Sequence, residues 1–486
     1  MRVWLLLTAA LFAADAQAHS FGQSYALPIP LWMYLYGASA ALLLSFLVIG
    51  FVVTARSAER NQQRHCVLEV DDRSAAWRRL VMLLQVLGVA ALSLCIVCGL
   101  VGTQLPNDNL NMTLFWIAFV LGLAYLSALV GNVYARLNPW RALIDWSSRS
   151  ERSTLWRGRI NYPQWLGCYP ALLLYGVFIW LELFSRITPR LLSWVLIDYS
   201  LINLVGAWLI GRDAWFRHCE FFGIYFGLLS KIAPLDYVPA GPRWRVELRQ
   251  PFIGLLDEAP DHFSLLLFVL FMLSSTAFDG LHETEPWVRG FWVNVYGLLT
   301  PFTGNNIVET YALYQWLYRL YQSLGLLLSP LIYLAIYLVF LRVASALTRQ
   351  RMALAEMAVR FAYSLIPIAL VYNIAHYYAL FVAQGPQLLR LISDPLGRGW
   401  NLFGTADWLQ QPMLVSMGAL WHIQVGLILF GHIVSVYLMH AEALRLFALQ
   451  RRALLSQLPM LLLMLAYTTI GLWILSLPIT SQSGPG

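Results

Sequence analysis

The residues of this sequence best suited to chemistry are an aspartate and a histidine in the segment TAFDGLHE. Asp279 and His282 stand at positions i and i+3, so a helix that continues through both would present them on one face. A carboxylate and an imidazole on one face can bind a transition metal or transfer a proton. Glu283 follows directly, and it is expected either to act as general base on a metal-bound water or to be a solvated surface carboxylate.

Two further histidines lie in consecutive apolar segments that a single external loop would join. His376 is in YNIAHYY and His422 is in LWHIQ. Because consecutive helices are usually neighbours, the two imidazoles are expected at similar depths. With Asp279 and His282 they would form a mixed nitrogen and oxygen ligand set for a divalent transition metal such as zinc or copper. The alternative is that these histidines are buried and hydrogen-bonded to backbone carbonyls or tyrosine hydroxyls.

The first residues have the pattern of a secretory signal peptide. Arg2 precedes an apolar core, and AQA at residues 16–18 matches the small-x-small site of signal peptidase. Residues 1–18 are therefore predicted to be cleaved, which would make His19 the new amino terminus. Its α-amino group and imidazole would then form a compact chelate for copper. The alternatives are an uncleaved anchor and an ordinary exposed first residue.

The composition that surrounds these residues is that of a membrane protein. Of the 486 residues, 59% are hydrophobic and 12% are charged, and the mean hydropathy is +0.63. Soluble domains have about 25% charged residues, so a soluble protein is not expected. The 20 Trp and 24 Tyr suit the aromatic belts of membrane proteins. The net charge of +7 comes from arginines in alternate segments and not from a basic stripe, so no nucleic-acid partner is expected.

Apolar segments of spanning length predict an all-α, polytopic bundle of about ten transmembrane helices in a lipid bilayer. The predicted spans are Leu31 to Val53, Leu80 to Val101, Leu114 to Tyr134, Trp165 to Phe184, Leu191 to Ile210, Phe263 to Gly280, Gln322 to Ala344, Phe361 to Ala383, Met413 to Met439 and Leu454 to Leu477. Residues 19–486 are expected to form one helical domain, with external loops near 281–321 and 385–411. Between Arg212 and Asp261 the apolar runs are too short to span, which predicts a re-entrant or interfacial segment and a cytoplasmic loop.

The arginines predict the orientation of the chain. Arginine-rich stretches at 56–79 and 136–159 follow alternate spans, as the positive-inside bias requires of cytoplasmic segments. The sequence therefore predicts a multi-pass protein of the bacterial inner membrane whose mature amino terminus is periplasmic.

Other charged side chains lie within or beside the predicted spans. Glu182 and Arg186 are spaced i and i+4, as are Glu356 and Arg360, and both pairs predict ion pairs at helix ends. Asp198 is deeper in its span, and we expect it to face the bundle interior as a second candidate for a catalytic or coupling group.

Longer stretches of the chain resemble a known family. These are AHSFGQSYALPIPLWMYLYGASAALLLSF, NPWRAL, TAFDGL, SLIPIALVYNIAHY and WHIQVGLILFGHIVSVYLMHAEALRLF, and they are similar to the bacterial membrane proteins known as fenitrothion hydrolase. The resemblance spans most of the chain. It implies an inner-membrane protein that hydrolyses organophosphorus triesters, together with a second protein subunit as a partner. It supplies no catalytic residues that can be carried over.

The sequence therefore predicts an integral-membrane hydrolase that acts on an apolar small molecule at the outer leaflet. In this hypothesis the metal bound by the four ligands named above activates water, and Asp279 and Glu283 have the catalytic roles. The alternative is a metal-handling membrane protein for copper uptake or cofactor delivery, with His19 and the helix histidines as successive ligands. A permease without bound metal is a third hypothesis.

Overall fold

The computed structural model describes residues 29–54, 63–148, 155–304, 307–349, 352–408, 416–447 and 449–477. Ten of the described helices are long and apolar enough to cross a membrane, which confirms the predicted all-α bundle. In chain order they are α1 (Leu31–Val52), α2 (Ala75–Val101), α3 (Leu110–Val130), α4 (Gln164–Phe184), α5 (Pro189–Ile210), α6 (Phe263–His282), α7 (Glu309–Thr348), α8 (Leu354–Gln384), α9 (Gly418–Leu446) and α10 (Gln450–Ser476). The predicted signal peptide and His19 lie outside the described residues.

Local sequence signals fix where these helices begin and end. At the start of α5, the Thr188 hydroxyl accepts a hydrogen bond from the backbone N–H of Leu191, and Pro189 occupies the first helical turn, where its missing N–H costs nothing. The helix ends at Gly211, whose φ of 92° lies in the region that favours glycine. In α2, the Ser74 side chain caps the first turn by accepting from the N–H of Trp77.

The sixth span is the centre of the bundle. In α6, 83% of the apolar window is buried, the largest fraction among the ten spans, and the helix packs against α7 and α8. On one side α8 packs closely on α9, and α1 lies against α9 and α10. On the other side α5 packs on α2. The span α2 is the least buried of the ten, with 6% of its apolar window buried. Polar side chains on α6 are therefore the ones most strongly shielded from lipid and water.

A three-stranded antiparallel sheet lies at one end of the bundle, which we call the sheet end; the opposite end is the far end. The strands are β1 (His65–Asp71), β2 (Leu235–Ala240) and β3 (Arg243–Leu248), in the order β1-β3-β2. Buried Arg249, directly after β3, donates to the carbonyls of Ser230 and Ala233 and to the carboxylate of Asp236. This guanidinium ties the sheet to the helix that precedes it.

Shorter helices connect the spans. The α-helices are Tyr134–Leu137, Pro139–Ser147, Arg212–His218, Phe221–Ser230, Glu285–Arg289, Tyr296–Thr303 and Gln387–Ser393. The 3-10 turns Pro106–Asp108 and Ile253–Leu256 and the π-helical turn Gly290–Val295 also lie between spans. Within the spans, 3-10 turns cover Gln164–Leu166 in α4 and Ala362–Leu365 in α8, and a π-helical segment covers Thr113–Gly122 in α3.

The region 281–321, predicted as an external loop, is largely helical. Its last part belongs to the continuous helix Ile307–Thr348, which contains the span α7 and begins two residues before it. This helix has 42 residues and is about 63 Å long at 1.5 Å per residue. The preceding short helices fold back on this helix through contacts between aromatic rings, such as Trp287 and Tyr321, whose centroids are 4.6 Å apart. Between Arg212 and Asp261 the apolar helix Phe221–Ser230 is too short to span, as the sequence indicated, and the strands β2 and β3 replace the expected loop.

Candidate functional site

The centre of the candidate site is a carboxylate and an imidazole from two packed spans. Asp279 lies three residues before the last residue of α6, and His376 lies eight residues before the last residue of α8. The distance from Asp279 Oδ2 to His376 Nε2 is 2.7 Å, the length of a charge-assisted hydrogen bond. The Asp279 side chain is 7% exposed and that of His376 is 22% exposed. The pair is therefore shielded on the aspartate side and open on the histidine side.

A tyrosine extends this pair to a second carboxylate. The Tyr377 hydroxyl lies 2.8 Å from Asp279 Oδ2 and 3.0 Å from Glu182 Oε1 on α4. A phenol has one proton to donate, so it can donate to only one of the two carboxyl groups. The other contact is a hydrogen bond only if that carboxyl group is itself protonated and donates to the phenolic oxygen. Both contacts are therefore hydrogen bonds only if Glu182, Tyr377 and Asp279 hold two protons, that of the phenol and one on a carboxyl group.

A small cavity borders this chain of groups. Its volume of about 30 Å³ is sufficient to hold an ordered water molecule. Glu182, Asp279 and Tyr377 contribute polar atoms to its wall, and the rings of Tyr175 and Phe178 form part of the apolar wall. The cavity can therefore hold a water molecule beside the carboxyl groups.

The other two predicted ligands are directed elsewhere. His282 Nδ1 donates to the backbone carbonyl of Asp279 at 2.8 Å, and its ring stacks on Phe278. His422 Nδ1 donates to the Gly418 carbonyl at 2.7 Å, so its Nε2 accepts from the Tyr34 hydroxyl at 3.2 Å. These contacts are the ones expected of histidines satisfied by backbone carbonyls and tyrosine hydroxyls.

The described residues do not assemble the predicted metal site. No group of three or more His, Cys, Asp or Glu side chains among them could hold a metal ion. Of the four predicted ligands only Asp279 and His376 meet, and Asp279 Oδ2 already accepts from His376 and Tyr377. We assign Asp279 and His376 as a hydrogen-bonded acid–base pair. Metal binding, including the part predicted for His19, stays a prediction.

The remaining sequence-based expectations have mixed outcomes. Glu283 follows the last residue of α6 and is not part of the Asp279–His376 pair. The predicted ion pair of Glu356 with Arg360 is confirmed at 3.6 Å. The predicted pair of Glu182 with Arg186 is wrong, because Glu182 points inward and its Oε1 lies 3.0 Å from the Tyr377 hydroxyl.

The expectation that Asp198 faces the bundle is also wrong. Its side chain is exposed on the outside of α5, and it makes no hydrogen bond or ion pair with any described residue. The neighbouring Tyr199 faces inward instead, where its hydroxyl donates to Glu220 at 2.9 Å. The helical period of α5 places these two consecutive residues on different faces.

Two residues of the site, Glu182 and Tyr377, were not predicted from the sequence. The spacing of Glu182 and Arg186, four positions apart, predicts an ion pair at a helix end. The place of Glu182 within the uninterrupted apolar run FIWLELF was the signal of an interior role, since carboxylates within spans rarely face lipid. Tyr377 directly follows His376, and nothing in its spacing indicated that its hydroxyl reaches α6 and α4.

No protein-family model matches the chain, and neither does any curated protein or solved structure.

Proposed function

We propose that the protein is an integral-membrane hydrolase in which Asp279 and His376 form the acid–base pair that activates water. The observation that carries this proposal is the 2.7 Å contact between Asp279 Oδ2 and His376 Nε2, with the imidazole as the more exposed partner. A carboxylate that orients a histidine and stabilises its protonated form recurs in hydrolases of unrelated folds.

Each side chain has a distinct role in proton transfer. Asp279 holds Nε2 of His376, and Nδ1 makes no hydrogen bond to the described residues. Nδ1 takes a proton from a water molecule while the water oxygen bonds to the electrophilic phosphorus and the bond to the leaving phenolate breaks. Asp279 stabilises the imidazolium that forms, and the Tyr377 hydroxyl holds the Asp279 carboxylate in place.

The proposed substrate class is an apolar organophosphorus triester such as fenitrothion. The family resemblance supports this class, since two of the similar segments, TAFDGL and SLIPIALVYNIAHY, hold Asp279 and His376. The location of the pair supports it as well, because an apolar ester partitions into lipid and the pair lies near the far ends of two spans. The ester would approach from the exposed side of His376.

We also propose that the far end faces the periplasm of a bacterial inner membrane. Most Lys and Arg residues belong to segments at the sheet end, as expected of cytoplasmic segments. The segments at the far end carry only a minority, namely Arg186, Arg190, Arg289, Arg319, Arg390 and Arg398. Because α1 begins at the far end, this orientation makes the mature amino terminus periplasmic, in agreement with the predicted signal peptide.

The hydrolase proposal is tested by release of nitrophenolate from fenitrothion, followed by absorbance, with the full chain in native membranes and after purification into nanodiscs. We expect His376→Ala to lower kcat/KM by about 10²–10⁴-fold, the usual contribution of a general base. His65→Ala, on an exposed strand at the sheet end, is the matched control and should retain the wild-type rate.

Two outcomes of this experiment would count against the proposal. Wild-type protein that releases no nitrophenolate above the His376→Ala background in either preparation would overturn it. A loss in His422→Gln as large as that in His376→Ala would favour the predicted four-ligand metal site over the acid–base pair, and metal analysis of the purified protein would then identify the ion.

A proton-coupled permease is the second candidate, favoured by the link from Asp279 through Tyr377 to Glu182. Carboxylates within spans often form proton relays in transporters. This candidate predicts that Glu182→Gln abolishes solute-driven proton uptake into vesicles, whereas Glu285→Gln, at an exposed position, does not. The metal-handling alternative depends on His19, which lies outside the described residues.

A further inference from the structure

The fifth span carries a carboxylate that faces away from the rest of the protein. Asp198 is the tenth of the 22 residues of α5, about 13 Å along the axis from the first residue and about 18 Å from the last. Its side chain is exposed and has no hydrogen-bond or salt-bridge partner among the described residues. A carboxylate at this depth is strongly disfavoured in lipid, and such residues almost always pair with another polar group.

Large apolar side chains surround Asp198 on the same helix face. Trp194, Leu201, Ile202 and Val205 stand at positions i−4, i+3, i+4 and i+7, and between 41% and 54% of each is exposed. The adjacent span α2 is the least buried of the ten, so α2 and α5 together form an open wall of the bundle. Lipid alone would satisfy the apolar part of this wall and leave the carboxylate unpaired.

We propose that the wall formed by α2 and α5 binds a transmembrane helix of a second, different protein. That helix places a basic or hydrogen-bond-donating side chain against Asp198. The inference is independent of the proposed hydrolase activity, because it rests on α5 and not on the Asp279–His376 pair.

Charge complementarity favours a different protein over a second copy of this chain. Two-fold packing of this wall on itself would bring two Asp198 carboxylates towards one another. The cations of α2 do not lie at this depth, since its two basic residues, Arg78 and Arg79, are in its first two turns at the sheet end and the apolar stretch 80–101 contains no Lys or Arg. In α5 the sole basic residue is Arg190, about 12 Å along the helix from Asp198.

Site-specific photo-crosslinking in the membranes of the producing organism tests this inference. A benzophenone amino acid is placed at Trp194 or Leu201 of the full-length chain, and at Leu327 of α7, which is 57% exposed, as the lipid-facing control. We expect both α5 positions to yield one and the same crosslinked protein, attached through a transmembrane segment that carries a basic or donor residue. The Leu327 position should yield no such product.

A substitution at Asp198 supplies the decisive comparison. Asp198→Leu should lower crosslinking from Leu201 at least tenfold, without lowering the midpoint of thermal unfolding of the purified protein. Asp213→Leu, which removes an exposed carboxylate beyond the end of α5, should leave the crosslinking unchanged. Replacing the partner's basic residue by Asp, together with Asp198→Lys in this chain, should restore crosslinking from Leu201.

Three results would overturn the inference. They are a crosslink from Leu201 to this chain itself, adducts with lipid alone, and crosslinking to a second protein that Asp198→Leu leaves intact.

Discussion

At the residue scale, the environment of each carboxyl group decides what it can do. Glu220 lies in the apolar interior, and its two oxygens accept four hydrogen bonds, from the Tyr134 and Tyr199 hydroxyls, the Asn138 amide and the backbone N–H of Gly223. A carboxylate with this many donors has no free acceptor position for a substrate, so Glu220 is a structural cap of the helix Phe221–Ser230.

The same residue predicts a pH dependence of stability. Burial raises the pKa of Glu220 from 4.5 to about 7, against the opposing effect of its hydrogen bonds. Between these two values the folded protein holds a proton that the unfolded chain releases, so stability falls as the pH rises through this window. We expect the midpoint of thermal unfolding to be higher at pH 5 than at pH 7.5, and Glu220→Gln to reduce this difference.

Glu285→Gln is the matched control for this prediction, because Glu285 is exposed and outside the spans. The Glu285→Gln variant should keep the wild-type difference between the unfolding midpoints at pH 5 and pH 7.5. A Glu220→Gln variant with that same full difference would show that other groups cause the pH dependence.

Residue spacing identified part of the candidate site and could not supply the rest. Asp279 and His376 were both recognised as ionisable groups within apolar spans. The i, i+3 spacing of Asp279 and His282 describes one helix face, and it carries no information about side chains on other helices. In the structure His282 uses Nδ1 for a carbonyl of its own helix, whereas Asp279 pairs across to α8.

At the element scale, the position of α2 depends on a close approach of helices at a glycine. A Cβ atom on Gly99 would lie 2.2 Å from three atoms, namely the carbonyl oxygen of Pro189, Ser193 Oγ and Asn111 Nδ2. The same three groups are held in place by hydrogen bonds, since Asn111 donates to Pro189 at 2.8 Å and Ser193 donates to the Ile96 carbonyl at 3.0 Å. Small residues allow such approaches between membrane helices.

Replacing Gly99 should therefore separate α2 from α5. We expect Gly99→Ala to lower the free energy of unfolding by about 1–3 kcal/mol, as overpacking against a rigid backbone does. Gly426→Ala on α9 is the matched control, because a Cβ atom there meets nothing within 4 Å. Thermal unfolding of the purified variants measures the loss of stability in Gly99→Ala relative to Gly426→Ala. Equal unfolding midpoints for the two variants would contradict the prediction.

The sequence predicts the long helices well and the connecting elements poorly, for a physical reason. A span is a local apolar run, so its existence follows from composition along the chain. The sheet depends on pairing between β1 and β3, which belong to distant parts of the chain, and β1 alone has almost no buried face. The helical part of 281–321 likewise depends on packing of its aromatic rings against the long helix Ile307–Thr348.

At the scale of the whole molecule, the two ends of the bundle differ in charge and in structure. The sheet end holds the arginine-rich segments, with ion pairs such as Arg245 to Glu69 at 2.7 Å, whereas the Asp279–His376 pair lies near the far end. If the sheet end is cytoplasmic, a substrate reaches His376 from the periplasm or the outer leaflet. The orientation of the chain thus determines which compartment the proposed site serves.

The cysteines provide a direct measurement of this orientation. Cys66 on β1 is exposed, and the other four cysteines, Cys95, Cys98, Cys168 and Cys219, are buried. Buried thiols react slowly, so a membrane-impermeant maleimide reports on Cys66 alone. We expect no labelling in cells whose outer membrane alone is permeabilised, and full labelling once the inner membrane is opened, because the proposed orientation, based on the positive-inside bias, has the sheet end in the cytoplasm. In a Cys66→Ser background, Leu298→Cys introduces a thiol at the far end, at a position that is 72% exposed. This thiol should show the opposite pattern and be labelled without opening the inner membrane.

Labelling of Cys66 from the periplasmic side would reverse the orientation and place His376 towards the cytoplasm. An ester from outside could then reach His376 only after crossing the membrane.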